Sequence, residues 1–310
     1  MMYASSDRLI YRFRDFLRER YPFPVRKLPL HAGLGCPHRD NGDGSSGCVY
    51  CYNPGFSDMS SDTPDDVGRQ LERGIERSRR SGFSGKFIAY FQTGTNTYAD
   101  IEQLESWWRL IERYPDDIVG LSIGTRPDCL SADIFALLAE FGEKFMVWLE
   151  LGLQSANDGT LARINRGHTY QSFADAVDMS RLHENILICT HIILGLPGEG
   201  IEDMEHTVST LNRLGVHGVK IHHLQVVKHT LLAEWYARGD VCVYDVNEYV
   251  SLLVKLLPQL SRQIVVHRLV GDIRNDLLIA PRWVLPKARV IQLVEQGLRD
   301  AGMRQGALVD

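Results

Sequence analysis

Short runs in which nearly every position is branched or aromatic alternate along the chain with longer runs in which apolar residues recur every three or four positions. KLPLHAGL (27–34), KFIAYFQ (86–92), DIVGLSIGT (117–125), MVWLELGL (146–153), ILICTHIILG (186–195) and GVKIHHLQVV (218–227) read as six strands, each bounded by Gly, Pro or polar turns. The longer pattern predicts an amphipathic opening helix over 6–20 and helices over 64–81, 101–113, 131–141, 170–183 and 201–214. Alternation of this kind means parallel strands joined by helical crossovers, and nearly continuous apolar strands are covered by helices on the outside. A barrel and an open doubly wound sheet fit equally. A tail follows, with a helix over 245–260, the short strand IVVHRL and a helix over 286–301, and with Arg262, Arg268, Arg274, Arg282, Lys287 and Arg289 nearby. No repeat, Pro-rich linker or low-complexity block separates it, so it reads as an appendage to one barrel-like body.

Composition narrows the class. At 310 residues, 44% hydrophobic and 24% charged, the chain is a globular α/β protein and not a disordered or collagen-like one. Its longest apolar stretch, ILICTHIILGLP, falls short of the ~20 residues of a spanning helix and contains His191. The opening segment lacks the apolar core and small-residue cleavage site of a secretory signal, so the expected location is cytoplasmic, with no membrane association. A net charge of −5 excludes a generally basic nucleic-acid coat. Two local Arg-rich runs remain: Arg8, Arg12, Arg14, Arg18 and Arg20 in the first helix, and Arg69, Arg73, Arg77, Arg79, Arg80 and Lys86 around the second. Such runs are usually solvated helix faces, and Glu72 and Glu76 are interspersed here.

Six cysteines are too few for a disulfide scaffold, and they are unevenly spread. Cys129, Cys189 and Cys242 stand alone and read as packing residues, whereas Cys36, Cys48 and Cys51 are spaced C-x11-C-x2-C in GLGCPHRDNGDGSSGCVYC, directly after the first strand. Loops at the C-terminal ends of strands are where α/β proteins build their sites. Three thiolates suit structural zinc, with His38 as the nearest fourth ligand, or a 4Fe–4S cluster with one iron left open. Spacing alone leaves both metals in play, beside the plainer reading of three ordinary buried cysteines.

Several motifs in order carry a resemblance: CPHRDNGDGSSGCVYC, YFQTGTNTY, IGTRPD, ELGLQS with NRGHT, HIILGLPGE, KIHHLQVVKHT and GDIRNDLLIAP. The chain resembles the radical S-adenosylmethionine (SAM) superfamily, and more closely its YhcC/YtqA subfamily, related to the radical SAM subunit of Elongator. The resemblance implies a partial (β/α)6 TIM-like barrel of parallel strands with a C-terminal extension: an N-terminal helix over 1–26, the core barrel over 27–230 and the extension, packed on the core, over 231–310. It implies that Cys36, Cys48 and Cys51 hold three irons of a 4Fe–4S cluster while SAM chelates the fourth. Reductive cleavage of SAM then gives a 5′-deoxyadenosyl radical, with flavodoxin or ferredoxin as low-potential donor. The superfamily's usual cysteine spacing is C-x3-C-x2-C, so this loop is a departure, shared with the subfamily.

For SAM itself, the resemblance implies Gln92, Thr93, Gly94 and Thr95 at the methionine end, Tyr50 on the adenine, and Gln154 and Arg166 at the ribose or carboxylate. Gly124 stands where coproporphyrinogen-type relatives carry Glu, and His191 where they carry Asp. His191 is thus either a SAM contact or a satisfied core histidine. His222, His223, Gln225, Lys228 and His229 gather around the sixth strand, where alternation sends His222 and His223 to opposite faces. The subfamily is linked to processing of the wobble-uridine side chain of tRNA, from a carboxymethylaminomethyl group toward an aminomethyl one, so tRNA is the implied partner. A small-metabolite radical SAM enzyme and a non-catalytic iron–sulfur redox sensor are the alternatives. The sequence assigns neither a hydrogen-abstraction residue nor an oligomeric state.

Overall fold

Each apolar run becomes a strand because only a sheet covered by helices can bury residues on both of its faces. In the computed structural model, which describes residues 8–40, 47–52 and 67–309, the strands form a curled half-barrel of seven parallel members. Strands β1 (Val25–Leu30), β2 (Lys86–Phe91), β3 (Ile118–Thr125), β4 (Met146–Gln154), β5 (Ile186–Leu194) and β6 (Gly218–His223) lie in chain order. GVKIHHLQVV does not continue as one strand. After β6 the chain turns, and β7 (Val226–Val227) pairs antiparallel with a later strand, β9 (Leu278–Ala280). The seventh member of the half-barrel is β8 (Val265–Arg268), which lies parallel beside β6. IVVHRL is therefore part of the barrel sheet and not of an appendage. The fold class expected from the sequence is the one observed, enlarged by a strand.

The outer face of the sheet makes the main core. Leu121, Ile123, Leu149, Leu151 and Leu153 are fully buried together with Phe135 and Leu138 of helix Ala132–Gly142 and Phe173 of helix Tyr170–Ser180. Each such side chain contributes about 1.5–3 kcal/mol of transfer free energy. The inner face is layered, as β4 illustrates with Trp148, Glu150 and Gly152 at successive inward positions. At the N-terminal end of the barrel, Trp148, Ile88, Cys189 and Val265 pack on Phe16 and Leu17 of helix Phe13–Arg20. Phe13 of that helix stacks on His267 with ring centroids 4.0 Å apart. The helix thus plugs this end.

The opening helix begins later than its amphipathic pattern predicts, and residues 6 and 7 lie outside the described residues. Arg12 forms a parallel bridge to Val266, whose N–H donates to the Tyr11 carbonyl at 2.8 Å, so residues 11 and 12 are committed to the sheet edge. The helix predicted over 64–81 is seen from Val67 to Arg80, its first residues also lying outside those described. Three short helices went unread in the sequence: Pro37–Asp40, Asp158–Arg163 and Leu231–Arg238. Of the lone cysteines, Cys189 is buried as expected, whereas Cys242 is exposed: it lies between Val241 and Val243, which take the apolar contacts of this segment. Among the described residues no helix is long and apolar enough to cross a membrane.

Candidate active site

A cavity of about 630 Å³ opens at the C-terminal ends of the strands. Cys36, Cys48 and Cys51 line it, as do Tyr50, Gln92, Thr93, Gly94, Thr95, Gln154, Arg166 and His191, so the three cysteines and the residues that the resemblance names for SAM border one space. That convergence needs a particular backbone at two strand ends. After β2 the chain passes through left-handed conformations at Thr93 (φ 63°) and Gly94 (φ 75°). A Cβ at Gly94 would overlap the Leu34 carbonyl, so only glycine lets this turn lie against the cysteine loop, which the Thr95 N–H joins through the Gly35 carbonyl at 2.8 Å. At the end of β4 the register with β5 shifts between Gly152 and Gln154, and Gln154 sits at φ 76°. A non-glycine residue there costs of order 1–2 kcal/mol, and the kink brings Gln154 to the cavity wall.

The NRGHT segment clasps the cysteine loop. The Val49 N–H donates to the Ile164 carbonyl at 3.0 Å, Asn165 Nδ2 donates to the Gly47 carbonyl at 2.8 Å, and His38 Nε2 donates to the Asn165 carbonyl at 2.8 Å. Gly167 (φ 76°) lies so close to the His38 ring that a Cβ would overlap it. His38 is thereby turned toward this segment, and zinc loses its nearest fourth ligand. Below the loop an apolar cluster of Val49, Leu161, Ile164, Leu224 and Leu232 holds the assembly in place.

Arg166 is the charged centre of this region. Its Nη2 donates to the Gly152 carbonyl at 2.7 Å and its Nη1 lies 3.6 Å from Cys48 Sγ, while Nε is buried without a partner among the described residues. Arg126 Nη1 donates to the Arg166 carbonyl at 3.0 Å and is itself held by a two-pronged pair with Asp128 at 2.9 and 2.8 Å. Burial, aided by Cys48 and Cys36, pushes the Cys51 thiol up to about 12. Among the described residues no three His, Cys, Asp or Glu side chains stand together as a ready-made metal site.

Deeper in the lumen lies an ion cluster that the motif reading missed. Glu150 on β4 is 1% exposed and pairs with Lys27 on β1 and Lys220 on β6. Ser122 Oγ, Tyr90 Oη and His191 Nε2 donate to the same carboxylate at 2.8, 3.0 and 2.8 Å. Burial alone would raise this carboxyl, but the two ammonium groups outweigh it and hold it well below the usual range. Burial and Lys220 lower the His191 imidazole to about 4, so the ring is neutral near pH 7. A signal for the cluster was available: one Glu inside an otherwise apolar strand, with one Lys in each of two others. His222 faces His191, with ring centroids 5.7 Å apart, whereas the His223 ring stacks on Trp283 at 4.1 Å, the opposite-face arrangement expected from alternation.

A layered half-barrel with a three-cysteine loop after its first strand defines a class. The radical SAM superfamily model matches residues 32–211, and a radical SAM C-terminal domain model matches residues 216–300. The chain belongs to the radical SAM superfamily. It is 35% identical to YtqA of Bacillus subtilis over 304 residues, covering 98% of this chain and 94% of that one. It is 32% identical to YhcC of Escherichia coli over 303 residues, covering 97% and 96% respectively. Among solved structures, archaeal Elp3 from Methanocaldococcus infernus matches with a TM-score of 0.69 at 20% identity, covering 91% of this chain and 64% of that one, and shares the fold.

This family uses a 4Fe–4S cluster and SAM, and the residues present fit both. Three thiols at one rim leave one iron of a cluster uncommitted. The unpartnered Arg166 Nε and the glycine-lined turn at Gly94 offer a donor and a close backbone approach to the amino-acid end of SAM. A raised thiol such as that of Cys51 is deprotonated by the metal that it binds.

Proposed function

We propose that the protein is an enzyme that cleaves SAM reductively at a cluster held by Cys36, Cys48 and Cys51, and that its substrate is the wobble-uridine side chain of tRNA. The observation that carries the catalytic part is the convergence of these cysteines and of Tyr50, Gln92, Thr93, Gly94, Thr95, Gln154, Arg166 and His191 on one cavity. The cofactors supply a 5′-deoxyadenosyl radical that abstracts hydrogen from substrate. The chain's own residues do the rest. Arg166, positioned by Arg126 and the Gly152 carbonyl, offers donors to the SAM carboxylate. The turn at Thr93 and Gly94 receives the amino-acid end, and the Tyr50 ring packs on the adenine. Neutral His191, fixed by Glu150, presents its other ring edge to the cavity without adding charge.

Resemblance to the YhcC/YtqA subfamily supports the tRNA part. A lumen of this size at the end of a half-barrel also suits a single extruded base, and an anticodon loop gives up a base at little cost because it is already single-stranded. A low-potential flavodoxin or ferredoxin is the electron donor in this reading. Anaerobic incubation of the cluster-loaded protein with reductant, SAM and bulk tRNA, followed by nucleoside mass spectrometry, tests it. A SAM-dependent change in a wobble uridine is the expected result. SAM cleavage with every tRNA nucleoside unaltered would leave the enzyme class standing and remove tRNA.

A further inference from the structure

The lumen below the cysteines carries more positive than negative charge. Lys27 and Lys220 already share the one carboxylate of Glu150. Arg268, the last residue of β8 and in register with Lys220, lines the same cavity, and its guanidinium has no hydrogen-bond or ion-pair partner among the described residues. His222 lines the cavity from the neighbouring strand, and its Nε2 is buried without a partner. Asp272 at the rim is paired with Lys287 and does not neutralise Arg268. The Tyr90 hydroxyl is engaged by Glu150 and Lys220 at 3.0 and 2.8 Å. A partly buried guanidinium beside an unsatisfied ring nitrogen is costly for a folded protein to keep, and the usual resolution is an anion.

We propose that Arg268 and His222 form a subsite that receives a carboxylate of the substrate at the depth of Lys220 and His191. Arginine's planar fork accepts a carboxylate in two parallel hydrogen bonds, and the His222 Nε2–H tautomer adds a third donor. A terminal carboxylate on a flexible arm reaches this depth. A phosphodiester, continuous with its strand on both sides, stays at the mouth. The extension to RNA rests on the reading above: the uridine that enters carries its carboxylate at the end of the substituent on its base.

Two measurements separate the subsite from that reading. In crystals of the cluster-loaded protein soaked in bromide, an anomalous peak between Arg268 and His222 is expected, lost in Arg268→Gln and kept in Arg268→Lys, which preserves the charge. Absence of the peak in the unaltered protein overturns the subsite. Binding of 5-carboxymethylaminomethyluridine against 5-methylaminomethyluridine, which lacks only the carboxylate, then probes the substrate. The carboxylated nucleoside is expected to bind at least about tenfold tighter, with the preference lost in Arg268→Gln. A bromide peak with no preference between the nucleosides leaves the subsite in place and removes uridine. Cluster absorbance and thermal melting of each variant verify that it is folded.

Discussion

Arg166 lies where a side chain on residue 152 would be: Gly152 contributes only its carbonyl, which accepts from Arg166 Nη2 at 2.7 Å, and a Cβ there would press on both Arg166 and Gln154. The absence of a side chain on β4 is thus what admits a guanidinium into the barrel beside Cys48. Arg166→Ala is expected to weaken SAM binding by ~1.5–3 kcal/mol, the cost of a lost charge-assisted hydrogen bond. Equilibrium dialysis of labelled SAM against the cluster-loaded variant measures it, and unchanged affinity would take Arg166 out of the SAM site.

Replacing Cys36, Cys48 or Cys51 by Ala should abolish cluster reconstitution, while Ala at Cys129, Cys189 or Cys242 leaves iron content and visible absorbance as they were. His38→Ala should also retain iron, because the His38 ring is bonded to the Asn165 carbonyl. Iron and sulfide determination after anaerobic reconstitution decides the matter. An indispensable Cys129 with a dispensable Cys36 would overturn the assignment.

Glu150→Gln removes the carboxylate that Lys27 and Lys220 share in the lumen. Stability should fall by roughly 3–5 kcal/mol, the usual consequence of leaving buried charge uncompensated. Urea denaturation checks the loss, and Glu150→Gln combined with Lys220→Met should recover part of it.

Acid should destabilise the fold earlier than carboxylate protonation alone would bring about. Burial and Lys220 lower the folded His191 pKa to about 4, against about 6.5 for an unfolded histidine. Between those values the unfolded chain binds a proton that the folded chain excludes, so the stability contributed by neutral His191 is complete above the upper value and is lost as pH falls through the lower one. Thermal melts from pH 7 to pH 5 should show a falling midpoint. His191→Gln, which keeps a donor toward Glu150, should reduce the slope by at most ~1.4 kcal/mol per pH unit. An unchanged slope would mean that His191 titrates normally.

The Arg-rich runs illustrate what sequence could not show. Helix Val67–Arg80 runs antiparallel to the strands, so its basic C-terminal end returns to the start of the sheet, where Arg79 bonds to the Phe83 and Gly85 carbonyls and pairs with Asp117. Arg8 and Arg12 pair with Glu19 and Glu295 at that same end, opposite the cavity. The first run and the end of the second, from Arg77 to Lys86, thus lie away from the mouth. Arg77→Gln with Arg80→Gln should therefore leave tRNA affinity unchanged, whereas Lys228→Gln with Arg274→Gln, which lies on the cavity wall, should lower it and flatten its salt dependence. Filter binding at several salt concentrations distinguishes the two pairs.

The rest of the site was legible in proportion to how local its signal is. Cysteine spacing, the Gly94 turn and NRGHT are short motifs at strand ends, and residues of all three border one cavity. The Glu150 cluster joins positions 123 and 70 residues apart, so no window of sequence contains it. β8 has four residues, too few for periodicity to show that it enters the barrel sheet. Arg268 went unassigned for that reason, as one of several basic residues in a tail.

The bridge between Arg12 and Val266, together with the Gln305 side chain that accepts from the Tyr11 N–H at 2.9 Å, has a consequence for how the molecule is made. Synthesis proceeds from the N-terminus, so residues 11 and 12 emerge from the ribosome some 250 residues before their partner. Strands β1 to β6 can pair one after another as they appear, each with its immediate predecessor. The first helix has no finished seat until the seventh strand arrives beside β6. The earliest segment made is thus among the last to dock, and until then the Trp148 end of the half-barrel offers an apolar surface to chaperones.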